Sequence, residues 1–303
     1  MVLSLFSTLL ALILSFHARM YHPVFPPVPQ ISAKDISSES VSLTLTVPDH
    51  KPAPSVAAQA VFVIDAGSGE ILHQYNADTP LFPASTTKIM TALVVLESMK
   101  LDSVVTIPTP PVADGSHMGI VVGESIQVKD LLAGLLIDSA NDAADAFSHL
   151  YPGGPDAFVA RMNQKAKELG LTHTHYTNVV GYSDANHVTS VRDLVILARQ
   201  AMKNPDFARY VGLQTLTVTS TDQAIVHSLK TTNELLGSYP GMVGIKTGWT
   251  EEAGECFVAQ ATRGNQTIIS AVLASPDRFG ETKKILDWGF ETFRTETKPL
   301  SEW

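Results

Sequence analysis

The sequence has a single cysteine and no concentrated positive charge, and each absence excludes a class of protein. Cys256 stands alone, so the chain forms no internal disulfide. No Cys/His spacing of a zinc site and no His-Glu-x-x-His motif occurs, and of the ten histidines His173 and His175 are merely two apart. No metal and no cofactor is therefore expected. Lysine and arginine total 21 against 30 aspartates and glutamates, a formal net charge of −9, and no Lys/Arg-rich run is present. Such a chain lacks the electrostatic footprint of a nucleic-acid binder, and nucleic acid is not an expected partner. Internal repeats are missing too. Gly67-Ser68-Gly69 is too short for a phosphate loop and opens no helix.

What the chain does have is length and apolar content: 303 residues, 45% of them hydrophobic, enough for one large or two small domains with a real core. Val2 to Phe16 is a nearly unbroken apolar run, close to a signal-peptide core and short of the ~20 residues of a full span. No basic residue precedes it and no small-x-small site follows at His17-Ala18-Arg19. Residues 1–20 thus read as a signal peptide or an uncleaved anchor, and the body as extracytoplasmic. Any membrane attachment would run through this segment alone. Residues 21–56 carry Pro23, Pro26, Pro27, Pro29, Pro48, Pro52 and Pro54 around one alternating run, Val41 to Val47, and read as an extended linker. A folded body over 57–296 and a short polar tail over 297–303 complete the expected division.

The body opens with a β-branched strand, Gln59 to Asp65, a glycine turn, and a second strand from Ile71 to Tyr75, the pattern of a hairpin. Pro83 then starts a helix, followed by a short strand from Ser103 to Ile107. A helical block comes next: Val128 to Leu136, Asn141 to Leu150, Asp156 to Leu169, and Ser190 to Met202. The last of these opens on Ser190-Val-Arg-Asp193, a capping-box-like start with Asp in the Glu place. After Pro205 strands are predicted at Leu213 to Thr219, Met242 to Lys246, Glu255 to Ala261 and Thr267 to Ala274, with a closing helix from Arg278 to Phe293. The order implies an α+β fold: one antiparallel sheet completed by both chain ends and flanked by helices, with a helical subdomain inserted between.

Three short stretches bear chemistry. In Pro83-Ala-Ser85-Thr-Thr-Lys88, the serine and lysine three apart share one helix face. Pro83 suits a first turn, and the apolar run after Lys88 marks a helix buried on most sides. Burial and the positive end of the helix dipole both disfavour an ammonium, so the Lys88 pKa should fall. A neutral lysine can take the proton of a neighbouring hydroxyl, the Ser-Lys route to a nucleophile. Taken alone, the same residues could simply decorate a helix start. Ser139-Ala-Asn141 lies between two apolar helical segments, where either polar residue could cap the second. Lys246-Thr247-Gly248 sits on a strand and offers an anion partner, a hydroxyl, and room for close backbone approach.

Ser-x-x-Lys, Ser-x-Asn and Lys-Thr-Gly in that order form the motif set of penicillin-binding proteins and β-lactamases. From about Ala58 to Phe293 the chain resembles the serine-type D-alanyl-D-alanine carboxypeptidases, the low-molecular-weight penicillin-binding proteins. Val63-Ile-Asp-Ala-Gly-Ser-Gly-Glu, Asn141-Asp-Ala-Ala, Lys167-Glu-Leu-Gly-Leu, Thr189-Ser-Val-Arg-Asp and Gly254-Glu-Cys add to the likeness.

The resemblance implies the penicillin-binding-protein/β-lactamase-like transpeptidase fold and cleavage of the terminal D-alanine from peptidoglycan stem peptides. It implies Ser85 as the acylated nucleophile, Lys88 as its general base and Ser139 as proton relay to the leaving group. Asn141 would hold the substrate's side-chain amide, and Lys246 and Thr247, with Gly248 beside them, its terminal carboxylate. The backbone N–H groups of Ser85 and Trp249 would form the oxyanion hole, and β-lactams would act as inhibitors. Where many members read Asn-Pro-x-Gly-Leu, this chain reads Asn178-Val-Val-Gly181-Tyr182, a departure bearing on the loop beside the cleft. A DD-endopeptidase would use the same chemistry on cross-links, and a non-catalytic binder of peptidoglycan or β-lactams is a further alternative. The Glu-x-x-Leu-Asn stretch of a class A β-lactamase is missing.

Overall fold

Two adjacent strands are buried along nearly their whole length, and this decides the layering. In the computed structural model of the protein, residues 42–48, 51–109 and 114–299 are described. The segment expected to be a leader or anchor lies outside them, as does most of the linker. The chain divides into Thr44–Glu296, which holds the main sheet, the helices and the site described below, and a small unit of Met1–Leu43 with Thr297–Trp303. Among the described residues, no helix is long and apolar enough to cross a membrane.

Strands β1 (Ser42–Pro48), β2 (Ala60–Asp65) and β3 (Ile71–Tyr75) come first. A 3-10 turn, Ala84–Thr87, leads into α1 (Lys88–Ser98). The short hairpin β4 (Val104–Thr106) and β5 (Ser125–Gln127) precedes α2 (Val128–Ile137), α3 (Asn141–Leu150), α4 (Gly154–Glu168), α5 (Val191–Ala201) and α6 (Pro205–Val211). A second hairpin, β6 (Thr215–Thr219) and β7 (Val226–Lys230), follows. The chain closes with β8 (Met242–Thr250), β9 (Gly254–Arg263), β10 (Gln266–Ser275), α7 (Arg278–Thr292) and β11 (Phe293–Pro299), which pairs with β1.

The main sheet has the order β3-β2-β10-β9-β8, antiparallel throughout, so the opening hairpin and the closing strands complete one sheet. Ala271 of β10 faces Phe62 on one side and Val258 on the other. Because both sheet faces are covered, alternate residues serve different cores. Val61, Val63, Phe257 and Ala259 pack with Ile285, Leu286 and Phe290 of α7. Phe62, Ile64, Val258 and Ala271 pack into the helical side with Leu194 and Val195 of α5 and Ile89, Met90 and Val94 of α1. Lys88 through Val95 are all buried, as expected of a helix apolar nearly all round.

Several elements differ from the sequence expectation. A helix, α6, stands directly after Asn204, in a stretch for which no element was predicted. The Asn204 side chain accepts from the N–H groups of Asp206 and Phe207, and Pro205 fills the first turn, where its missing donor costs nothing. Strand β7 was not anticipated, although Val226-His-Ser-Leu-Lys230 alternates, with His227 and Leu229 inward. Strand β8 runs past Lys246 to Thr250, and the last helix ends at Thr292, where the chain turns to strand. Ser190 does cap α5 through the Asp193 N–H, but the Asp193 carboxylate accepts from His173 N and Thr174 Oγ1, both 2.8 Å, and closes no box. Neither Ser139 nor Asn141 caps α3. Its N-cap is Ala140, with no side-chain bond.

Candidate active site

The 3-10 turn and the first residue of α1 bring the serine and lysine together. Pro83 O accepts from Thr86 N and from Thr86 Oγ1 (2.7 Å), which tightens the turn and leaves Ser85 facing the cleft. Lys88 Nζ lies 2.7 Å from Ser85 Oγ and donates to Val180 O at 3.1 Å. Lys88 is fully buried, and its pKa lies well below the ordinary lysine value. Burial is the main cause, the nearby positive charge of Lys246 the second, and Asp142 opposes both.

Ser139 and Asn141 come from the joint between α2 and α3. Ser139 adopts φ +59°, a left-handed conformation uncommon outside glycine that reverses the chain sharply between the two helices. Its Oγ accepts from Lys246 Nζ at 2.8 Å. Asn141 Nδ2 donates to Asp114 O at 2.7 Å, and Asn141 N to Ser116 O at 2.7 Å. The neighbouring Asp142 carboxylate accepts from the N–H groups of Met118, Gly119 and Ile120. Together these bonds hold the 114–120 segment as one wall of the cleft.

Strand β8, at the sheet edge, supplies the opposite wall. Lys246 is buried, and its pKa is pushed down to about 7, first by burial and next by Arg278, with Asp138 opposing. Thr247 Oγ1 shares a hydrogen bond with Thr232 Oγ1 at 2.6 Å. At Gly248 a Cβ would stand 2.9 Å from Ser85 N and 3.1 Å from Pro83 O, so only glycine lets the strand lie this close to the turn. A third wall is the loop Thr177–Tyr182. Asn178 Oδ1 accepts from the N–H groups of Val180, Gly181 and Tyr182, and a Cβ at Gly181 (φ +99°) would stand 1.8 Å from Ala84 O. Sequence reading had noted this stretch as a departure; the carboxamide of Asn178 shapes it with no proline at position 179.

The result is an open cleft of about 480 Å³ lined by Ser85, Ser139, Asn141, Thr247, Gly248 and Trp249, six of the eight expected positions, the other two being the buried Lys88 and Lys246. Both lysines touch its floor, through Ser85 and Ser139. Trp249 is largely exposed at the rim. Tyr182, which the sequence places in the loop beside the cleft, is part of the lining; Thr232 and Arg278, whose Nη1 donates to Gly248 O at 3.0 Å, were not expected there. Neither of these two lies within a motif; folding alone brings them to the cleft.

A profile of the D-alanyl-D-alanine carboxypeptidases matches residues 47–277. The chain belongs to this family. It is 34% identical over 253 residues to the D-alanyl-D-alanine carboxypeptidase DacF of Bacillus subtilis, covering 80% of this chain and 64% of that protein. It is 38% identical over 257 residues to the D-alanyl-D-alanine carboxypeptidase of Streptomyces sp. strain K15, covering 78% of this chain and 88% of the relative. The chain thus spans less than two thirds of the Bacillus protein. Among solved structures, the Streptomyces K15 DD-transpeptidase superposes with a TM-score of 0.74 at 35% identity, over 80% of this chain and 100% of that one. A D-alanyl-D-alanine carboxypeptidase from Mycobacterium tuberculosis gives 0.74 at 34% identity, over 81% and 96%. The α+β fold expected from the order of elements is the fold of this family's solved members.

Proposed function

We propose that this chain is a serine DD-carboxypeptidase that removes the terminal D-alanine of peptidoglycan stem peptides through an acyl-enzyme. The observation that carries this reading is the 2.7 Å contact between Ser85 Oγ and a fully buried Lys88 whose pKa is depressed. A neutral Lys88 amine directs its lone pair at the Ser85 hydroxyl while one N–H stays on Val180 O. Ser85 Oγ attacks the carbonyl carbon of the penultimate D-alanine, and its proton passes to Lys88 Nζ. The oxyanion is met by the backbone N–H groups of Ser85 and Trp249, a placement supported by how closely β8 approaches Ser85 N at Gly248. Such donors are worth about 3–4 kcal/mol each.

Collapse of the tetrahedral centre breaks the C–N bond, and the departing amine takes a proton through the Ser139 hydroxyl. Lys246, Thr247 and Thr232 stand where the terminal carboxylate would bind, with the positive charge of Arg278 behind them. Asn141 holds the side-chain amide of the substrate. Water then hydrolyses the Ser85 ester. Penicillins carry a carboxylate and a strained amide in the same relation and acylate the same serine. Substrate of this kind lies outside the cytoplasm, in keeping with residues 1–20 as a leader or anchor, 21–56 as a linker, 57–296 as the catalytic body and 297–303 as a tail.

A purified chain should bind a fluorescent penicillin covalently and release D-alanine from a D-Ala-D-Ala peptide, and Ser85→Ala should do neither. Labelling that survives the substitution, or an unlabelled parent, would refute the reading. Muropeptide analysis of digested cell wall separates cleavage of stem peptides from cleavage of cross-links.

A further inference from the structure

Directly beneath the reactive pair sits a histidine to which the mechanism above gives no task. His187 is fully buried, and both ring nitrogens are engaged. Nδ1 receives the backbone N–H of Thr177 at 3.0 Å and lies 3.2 Å from Asn178 Nδ2. An N–H aimed at Nδ1 makes that atom the acceptor, so the ring proton resides on Nε2. Nε2 then donates to Thr87 Oγ1 at 2.9 Å. Burial also pushes the pKa of His187 down to about 4, which keeps the ring neutral and this tautomer in place at neutral pH.

These two bonds join the two segments that define the surroundings of Lys88. Thr87 precedes Lys88 and ends the turn that carries Ser85. Thr177 and Asn178 begin the loop whose Val180 O is the second partner of Lys88 Nζ. Thr91 Oγ1 donates to Val179 O of the same loop at 2.7 Å, and Gly181 packs against Ala84 O. Apart from Lys88 itself, whose Nζ reaches both Ser85 Oγ and Val180 O, His187 is the side chain among the described residues whose hydrogen bonds grip both turn and loop. We propose that His187 is a positioning residue that sets the distance between Lys88 Nζ and Ser85 Oγ by clamping Thr87 to the Thr177–Tyr182 loop. The inference rests on Lys88 being the base for Ser85.

The clamp can be cut from either end. Thr87→Val removes the acceptor with little change of shape, Thr87→Ser restores it, and His187→Gln keeps a donor toward Thr87 but loses the acceptor for Thr177. The readout is stopped-flow acylation by a fluorescent penicillin, which separates the acylation rate constant, the saturation constant and the labelled fraction. Since a misplacement of ~1 Å can cost ~10²-fold, Thr87→Val and His187→Gln should slow acylation on the order of tenfold or more. Saturation constant and labelled fraction should stay at parent values, and Thr87→Ser should regain most of the rate. A Thr87→Val protein acylated at the parent rate would overturn the inference, as would a loss confined to the labelled fraction, which indicates folding alone. An unlabelled parent would instead refute the reading of Ser85 and Lys88, so the two failures are distinct.

Discussion

Lys88 and Lys246 are two lysines in one buried place, and Lys246 lowers the readiness of Lys88 to hold a proton. Burial and Lys246 hold the Lys88 pKa well below the ordinary lysine value, whereas Lys246 retains a pKa of about 7 and with it a partial charge for a carboxylate. Lys88→Arg should abolish penicillin labelling, because an arginine side chain stays protonated and offers no lone pair; acylation at a measurable rate would remove Lys88 from the mechanism. The same burial has a consequence for stability. Unfolded, Lys246 titrates near ~10.4. Between about 7 and that value the unfolded chain binds a proton that the folded chain does not. Stability should therefore rise with pH across this window, Lys88 acting in the same direction. The urea midpoint should increase from pH 7 to pH 9, and less so in Lys246→Met; equal slopes in both proteins would contradict the assignment. Cys256 lies deep in the sheet with its thiol pushed up to about 12, so alkylating reagents should leave labelling of the folded chain unchanged.

At the level of elements, the site depends on three backbones meeting at the turn Ala84–Thr87: strand β8, the loop Thr177–Tyr182, and the start of α1. The approaches of β8 at Gly248 and of the loop at Gly181 are closer than a side chain permits. A methyl group at Gly181 would overlap Ala84 O and would also have to adopt φ +99°. Gly181→Ala should push the loop off the turn and lower the acylation rate by on the order of 10²-fold. Gly248→Ala, where the nearest atom stands at 2.9 Å, should do less harm. Acylation kinetics of the two variants test that ranking, and a Gly181→Ala protein with the parent rate would show that the contact is dispensable. The helix joint at Ser139 follows the same logic, since its left-handed backbone aims the hydroxyl at Lys246 instead of at a helix cap.

On the scale of the whole molecule, the main sheet separates two cores with different duties. The helical side encloses α1 and the cleft, while the other face packs α7 against β2, β9 and β10. Leu286, fully buried on α7, is far from the motifs in sequence and contributes none of the cleft's lining. Leu286→Ala should cost ~2–5 kcal/mol of folding stability through lost transfer energy and the cavity left behind. Folded protein below its lowered melting temperature should still acylate at the parent rate. A large loss of rate in that folded fraction would mean that the two cores are not energetically separate.

The sequence by itself determined the five strands of the main sheet, most of the helices, and the three motifs with Ser85, Lys88, Ser139, Asn141, Lys246 and Thr247, because those signals are local. Alternation, apolar runs and fixed spacings within a few residues all survive as text. It also contained, unread, the Asn204-Pro205 start of α6 and the alternation of β7. Thr232, Arg278 and His187 carried no such mark, since what joins them to the site is contact across many tens of residues. Only the tertiary structure could bring Gly248 against Ser85 and set Lys246 behind Ser139. Burial belongs to a neighbourhood and not to a residue, so it is the fold that decides how burial and Lys246 together lower the Lys88 pKa.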